Sequence, residues 1–163
     1  MSICAVTGSA SGIGKAVAEN LIAQGHGVIS IDLRDADITA DLSKREDCEA
    51  VLAAVLERAP EGLDGFVPCA GVGPEVPNRE LIPLVNYFAT VTLVNGLMPA
   101  LERKQGSVVL ISSNSSQMKE YDDNYMQALN EVYFSLSLTI FRSSPGVVLK
   151  CCFIDFPKAA SEA

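Results

Sequence analysis

The chain has 163 residues, 48% of them hydrophobic, which fits one domain with a sizeable core. Its formal charge of −8 argues against a nucleic-acid partner, because a phosphate polyanion would be repelled rather than steered in. The opening MSICAVTG lacks a basic leader and a cleavage site, and no stretch reads as long and apolar enough to span a bilayer, so neither a signal peptide nor a membrane partner is expected.

Five cysteines (Cys4, Cys48, Cys69, Cys151 and Cys152) show no framework spacing. An odd count without a secretion signal reads as reduced thiols in the cytoplasm. With one histidine, His26, and no Cys-x-x-Cys pair, no metal site is expected.

Ile3 to Thr7 is a short apolar run that suits a buried parallel strand. From Gly12 the pattern turns helical, with Ile13, Val17, Leu21 and Ile22 on one face and Gly25 as a left-handed stop. Gly27 to Asp32 predicts a second strand and Asp37 to Ala40 a short third. Ser43 and Glu46 have the spacing of a capping box for the next helix, whose inner face is Val51, Leu52, Val55 and Leu56. Asp64 to Cys69 predicts another strand. Glu80 to Lys104 predicts a deeply packed helix, with Pro83 in its first turn and a kink at Pro99. Ser107 to Ser112 is the next strand. Strands alternating with helices predict an α/β fold, a parallel sheet with helices on both faces.

The loop after the first strand carries the chemistry. Gly8, Gly12 and Gly14 stand where the chain must turn sharply and where a Cβ would block a pyrophosphate. The following helix offers free N–H groups and the positive end of its dipole to phosphates. Asp32 closes the second strand about 20 residues further on, where a carboxylate can accept both ribose hydroxyls of NAD and repel the extra phosphate of NADP.

Thr7-Gly8-x-x-x-Gly12-Ile13-Gly14 resembles the glycine signature of the short-chain dehydrogenase/reductases, and the likeness continues along residues 1–131. Asp41-Leu42 sits where that family has an adenine-contacting pair. Cys69-Ala70-Gly71 is similar to its Asn-Asn-Ala-Gly, with Pro68 and Cys69 in place of the asparagines. Asn86 in VNYF matches the helix asparagine of the catalytic tetrad, and Ser113 after VVLIS the catalytic serine. As a set these segments look closest to the bacterial 3α-hydroxysteroid dehydrogenase/carbonyl reductase group. The resemblance implies a Rossmann-like doubly wound sheet and NAD bound by Gly8, Gly12, Ile13, Gly14, Asp32, Asp41, Leu42, Cys69, Ala70 and Gly71. It also implies a small carbonyl or alcohol substrate such as a steroid, and self-association into a homo-oligomer. Ser11, where NADP-preferring members often place a basic residue, favours NAD. Lys15 and Arg34 read as solvated surface charge.

The family moves its proton with Tyr-x-x-x-Lys, two residues one helical turn apart on a shared face. This sequence has no such pair: Tyr87, Tyr121, Tyr125 and Tyr133 are followed four positions on by Val91, Tyr125, Leu129 and Ser137. General acid–base help contributes roughly 10²–10⁴-fold, so little or no native turnover is expected. Residues 132–163 shift in composition and leave the family pattern. The sheet is therefore expected to be truncated at its far side, with Gly146 to Phe156 pairing beside residues 107–112 or being a foreign, frameshifted tail. A dinucleotide-binding protein without turnover, and an inactive fragment, are the alternatives to an impaired oxidoreductase.

Overall fold

The computed structural model describes residues 1–111 and the two strand residues Leu149–Lys150. The chain runs β1 (Ile3–Thr7), α1 (Gly12–Ala23), β2 (Gly27–Asp32), β3 (Ile38–Thr39), α2 (Arg45–Arg58) and β4 (Gly65–Pro68). It continues through α3 (Leu81–Pro83), a π-helical turn (Leu84–Ala89), α4 (Thr90–Lys104), β5 (Ser107–Val109) and β6 (Leu149–Lys150). The strands form one parallel sheet in the order β3-β2-β1-β4-β5-β6. This is the doubly wound order, and its direction of winding reverses between β1 and β4.

Right-handed crossovers fix the layers. The chain steps one way from β1 to β2 and the other way from β3 to β4, so α1 lies on one face and α2 and α4 on the other. The main core fills the second face: Ala5, Ile31, Phe66 and Val108 from the strands meet Val51 and Val55 of α2 and Leu93, Leu97 and Leu101 of α4. Burial of each large side chain is worth about 1.5–3 kcal/mol. Gly96 lets α2 and α4 approach, since a Cβ there would stand 2.5 Å from the Leu52 methyls.

Element by element, most expectations hold. Gly25 has φ +82 and its N–H returns to the Ile22 carbonyl, ending α1. Leu149–Lys150 pairs in parallel with Val108–Val109, as the β-rich tail predicts; the rest of residues 146–156 lies outside the described residues.

Four expectations need correction. In α1 the buried residues are Gly14 and Ala18, while Ile13 and Ile22 are exposed. Val17 and Leu21, on the expected face, are half-buried, and the closest approach of the helix is at Gly14, where a Cβ would strike the Gly8 carbonyl. Ser43 does not cap α2, whose N-cap is Lys44; the Ser43 hydroxyl donates instead to Asp41 Oδ1 at 2.7 Å, and acidic Glu46 and Asp47 in the first turn meet the positive helix end. The segment from Leu81 to Lys104 is buried along one face rather than all round, through Ile82, Ala89, Leu93, Val94, Leu97, Met98, Ala100 and Leu101, and a π turn interrupts it. By length and composition this same helix, 24 residues with a mean hydropathy of 1.5 in its most apolar stretch, meets the measure of a bilayer-crossing segment that the sequence reading denied the chain. A packed core explains the apolarity of its second half, which faces α2 and β4.

Candidate functional site

A cleft of about 470 Å³ opens at the carboxyl ends of β1, β2 and β4, where the winding reverses. Ligands bind at such switch points because adjacent loops diverge there. Gly8, Gly12, Ile13, Gly14, Asp32, Asp41, Leu42, Cys69, Ala70 and Gly71, drawn from four separate segments, all line it.

The glycine turn is built by close approach. Gly8 has φ +69, and a Cβ on it would lie 2.7 Å from the Ala70 nitrogen. A Cβ on Gly14 would collide with the Gly8 carbonyl. These two residues let the turn press against the β4 loop and let α1 start tight against β1. Gly12 differs: φ is +54 and nothing lies within 4 Å of where its Cβ would be. It faces the open cleft at the first turn of α1, a space that a side chain would fill. Free N–H groups beside an open cradle suit a diphosphate.

Short side chains tie this turn to its neighbours. The buried Ser9 hydroxyl donates to the Ile31 carbonyl (3.2 Å), and Thr7 Oγ1 accepts the Ala70 N–H (3.1 Å). Three strand ends are thereby held in one frame. The sequence reading missed both roles; a polar residue buried at a strand end was the available signal.

Asp32 ends β2 with its carboxylate fixed at both oxygens. Oδ2 accepts the Ala10 N–H (2.9 Å) and Oδ1 the Leu33 N–H (2.7 Å). A carboxylate has about four lone-pair sites, so each oxygen keeps one for an incoming hydroxyl. Asp41 is pre-set too. The Ser43 hydroxyl, the Ser43 N–H (3.1 Å) and the Lys44 ammonium (3.2 Å) surround its carboxyl and hold it below the usual carboxylate range. Arg34, exposed as expected, and Leu33 also line the cleft. Lys15 pairs with Glu19 on the exposed face of α1 (3.8 Å).

On the other wall, the Cys69 thiol is half-buried, and burial pushes its pKa up, so it stays protonated at neutral pH. Asn86 sits in the π turn, beside Val85 on the cleft wall. Its carboxamide grips Val72 at both ends: Oδ1 accepts the Val72 N–H (2.8 Å) and Nδ2 donates to the Val72 carbonyl (3.0 Å). The side chain is thus occupied in holding the Gly71–Gly73 loop. π turns recur at functional sites. Ser113 lies outside the described residues. Among the described residues no group of histidine, cysteine and acidic side chains is arranged to hold a metal ion.

Comparison with known proteins agrees with this geometry. The short chain dehydrogenase family model matches residues 2–124. The 3-alpha-hydroxysteroid dehydrogenase/carbonyl reductase of Comamonas testosteroni is 41% identical over 125 residues, which is 76% of this chain and 49% of that protein. The 11-beta-hydroxysteroid dehydrogenase type 2 of Ovis aries is 31% identical over 138 residues, 69% of this chain and 32% of the relative. A crystal structure of the 3-alpha-hydroxysteroid dehydrogenase from Pseudomonas sp. B-0831 complexed with NADH superposes with a TM-score of 0.77 at 40% identity, covering 89% of this chain and 59% of that one. The chain spans half or less of the length of these two curated relatives. On its glycine turn, its doubly wound sheet and these matches, the chain belongs to the short-chain dehydrogenase family.

Proposed function

We propose that the cleft binds NAD in preference to NADP, and that the lineage's reaction is the interconversion of a small carbonyl, such as a steroid ketone, and its alcohol. The nicotinamide supplies the hydride chemistry when bound. The Gly12–Gly14 amides at the start of α1 take the diphosphate, Asp32 the adenosine ribose, and Asp41-Leu42 the adenine side. Cys69, Ala70 and Gly71 form the wall toward the nicotinamide, where the Asn86 clasp on Val72 keeps the loop in place. Ser113 is the proposed partner of the reacting oxygen.

One observation carries the cofactor reading: Asp32, locked by two backbone N–H groups, presents its free lone pairs to the same cleft that Gly12 leaves open. A second reading rests on a specific observation too. Tyr-x-x-x-Lys is absent from the sequence, so this chain binds dinucleotide while turning over slowly or not at all. Titration calorimetry with NAD and NADP tests the first reading; NADH formation with a 3α-hydroxysteroid tests the second. Saturable NAD binding without turnover is the expected result. No binding of either dinucleotide by folded protein overturns the proposal.

A further inference from the structure

β2 and β3 pair only through Ile31↔Ile38 and Asp32↔Thr39. The short β3 leaves Ser30 without a strand partner on that side. Asp37 takes the partner's place. Its Oδ2 accepts the Ser30 N–H (2.9 Å) and the Ser30 hydroxyl (2.7 Å), and its own N–H donates back to Ser30 Oγ (2.8 Å). The ring is closed: the hydroxyl gives one hydrogen bond and receives one. Arg58, the last residue of α2, adds a donor to the Asp37 carbonyl (3.0 Å).

This clamp closes the base of a tight turn. Its other end is Asp32, bonded to the Leu33 N–H, and its interior includes Asp35 at φ +50. Between the fixed ends stand Leu33 and Arg34, which line the cleft although Leu33 is 65% exposed. Among the described residues nothing buries Leu33, so its position depends on the turn's two anchored ends.

We infer that Ser30 and Asp37 are positioning residues for the adenosine half of the dinucleotide: without touching the ligand, they hold Leu33 and Arg34 on the wall of the cleft. The inference rests on the proposed dinucleotide reading. An ordered turn binds without first losing freedom, and each rotamer-rich side chain left loose costs about 0.5–1.5 kcal/mol on binding.

The test measures the NAD dissociation constant by calorimetry for the full chain and for Ser30→Ala, Asp37→Ala, the double variant and Ser30→Thr. Circular dichroism checks that each is folded at the titration temperature. Each single alanine variant is expected to weaken NAD binding by about three- to tenfold. Because the two residues act as one unit, the double variant is expected to be no weaker than the poorer single one. Ser30→Thr keeps the hydroxyl on a strand that tolerates β-branching and is expected to restore affinity to within about twofold. Asp64→Ala is the control for general loss of stability. It removes a comparable hydrogen bond, to the Ile3 N–H (2.8 Å), at the far end of the sheet, and is expected to leave NAD affinity unchanged. Unchanged affinity in Ser30→Ala, additive effects in the double variant, or an equal loss in Asp64→Ala overturns the inference and leaves the dinucleotide reading standing. Failure of the unaltered, folded chain to bind NAD overturns both.

Discussion

Removal of the Asp32 carboxylate separates the two dinucleotides by sign. Each oxygen already accepts one backbone N–H and has room for one ribose hydroxyl. A hydrogen bond to a charged group contributes about 1.5–3 kcal/mol, so two give about 3–6 kcal/mol. The cleft is open to water, which favours the lower end, and Asp32→Ala is expected to raise the NAD dissociation constant by about 100-fold. The effect on NADP runs the other way. A 2′-phosphate about 4 Å from the carboxylate meets a repulsion of roughly 1 kcal/mol per charge pair in water and roughly 4 kcal/mol at a protein surface. Alanine removes that repulsion and leaves Arg34 on the same wall as a partner. Calorimetric titration of both dinucleotides into both proteins, at one fixed salt concentration near 0.15 M so that screening is constant, reads the crossing directly. If both affinities fall in parallel, or NAD binding is untouched in a folded variant, the ribose argument is wrong.

The glycines divide between binding and folding. Gly14→Ala drives a methyl into the Gly8 carbonyl and is expected to lower Tm by on the order of 10 °C. Gly12→Ala costs only about 1–2 kcal/mol of backbone strain but fills the cradle, so calorimetry should show NAD binding lost from a folded protein. Asn86→Ala frees both polar groups of Val72, worth about 1–3 kcal/mol each when left without partners, and hydrogen exchange should show a faster Val72 amide. The half-buried Cys69 thiol, its pKa raised by burial, should alkylate slowly at neutral pH and more slowly with NAD bound, as read by mass mapping of its peptide. Asp37 and Asp41 have folded pKa values lowered chiefly by the Ser30 and Ser43 hydroxyls. Their contribution to stability is complete above the unfolded value of about 3.9 and is lost as pH falls through the lower folded values. Urea denaturation across that acid range should show a shallower decline in Ser30→Ala, and an equal decline would refute the assignment for Asp37.

Much of this protein can be read along the chain. Gly27–Asp32 is a strand with the bounds expected from the sequence, and Gly25 takes the left-handed stop its position requires. The glycine spacing, the acid closing β2 and the family likeness name ten residues before any strand is paired, and folding brings all ten to one cleft. These features are legible because they depend on a residue's own φ, its missing Cβ or its distance along one element. Contacts between distant segments are not legible in that way. Ser43 satisfies the spacing of a capping box, yet its hydroxyl donates to the Asp41 carboxylate and the N-cap of α2 is Lys44. Ile13 follows the apolar period of α1 but is exposed at the mouth of the cleft, and the buried positions of the helix are Gly14 and Ala18. The grip of Ala10 on Asp32, of Thr7 on Ala70 and of Asn86 on Val72 joins residues 14 to 63 positions apart. Sequence determined which residues could form the site; the parallel stacking of β2, β1 and β4 decided which oxygens and N–H groups face one another across it, because a hydrogen bond depends on distance in space and not on separation along the chain.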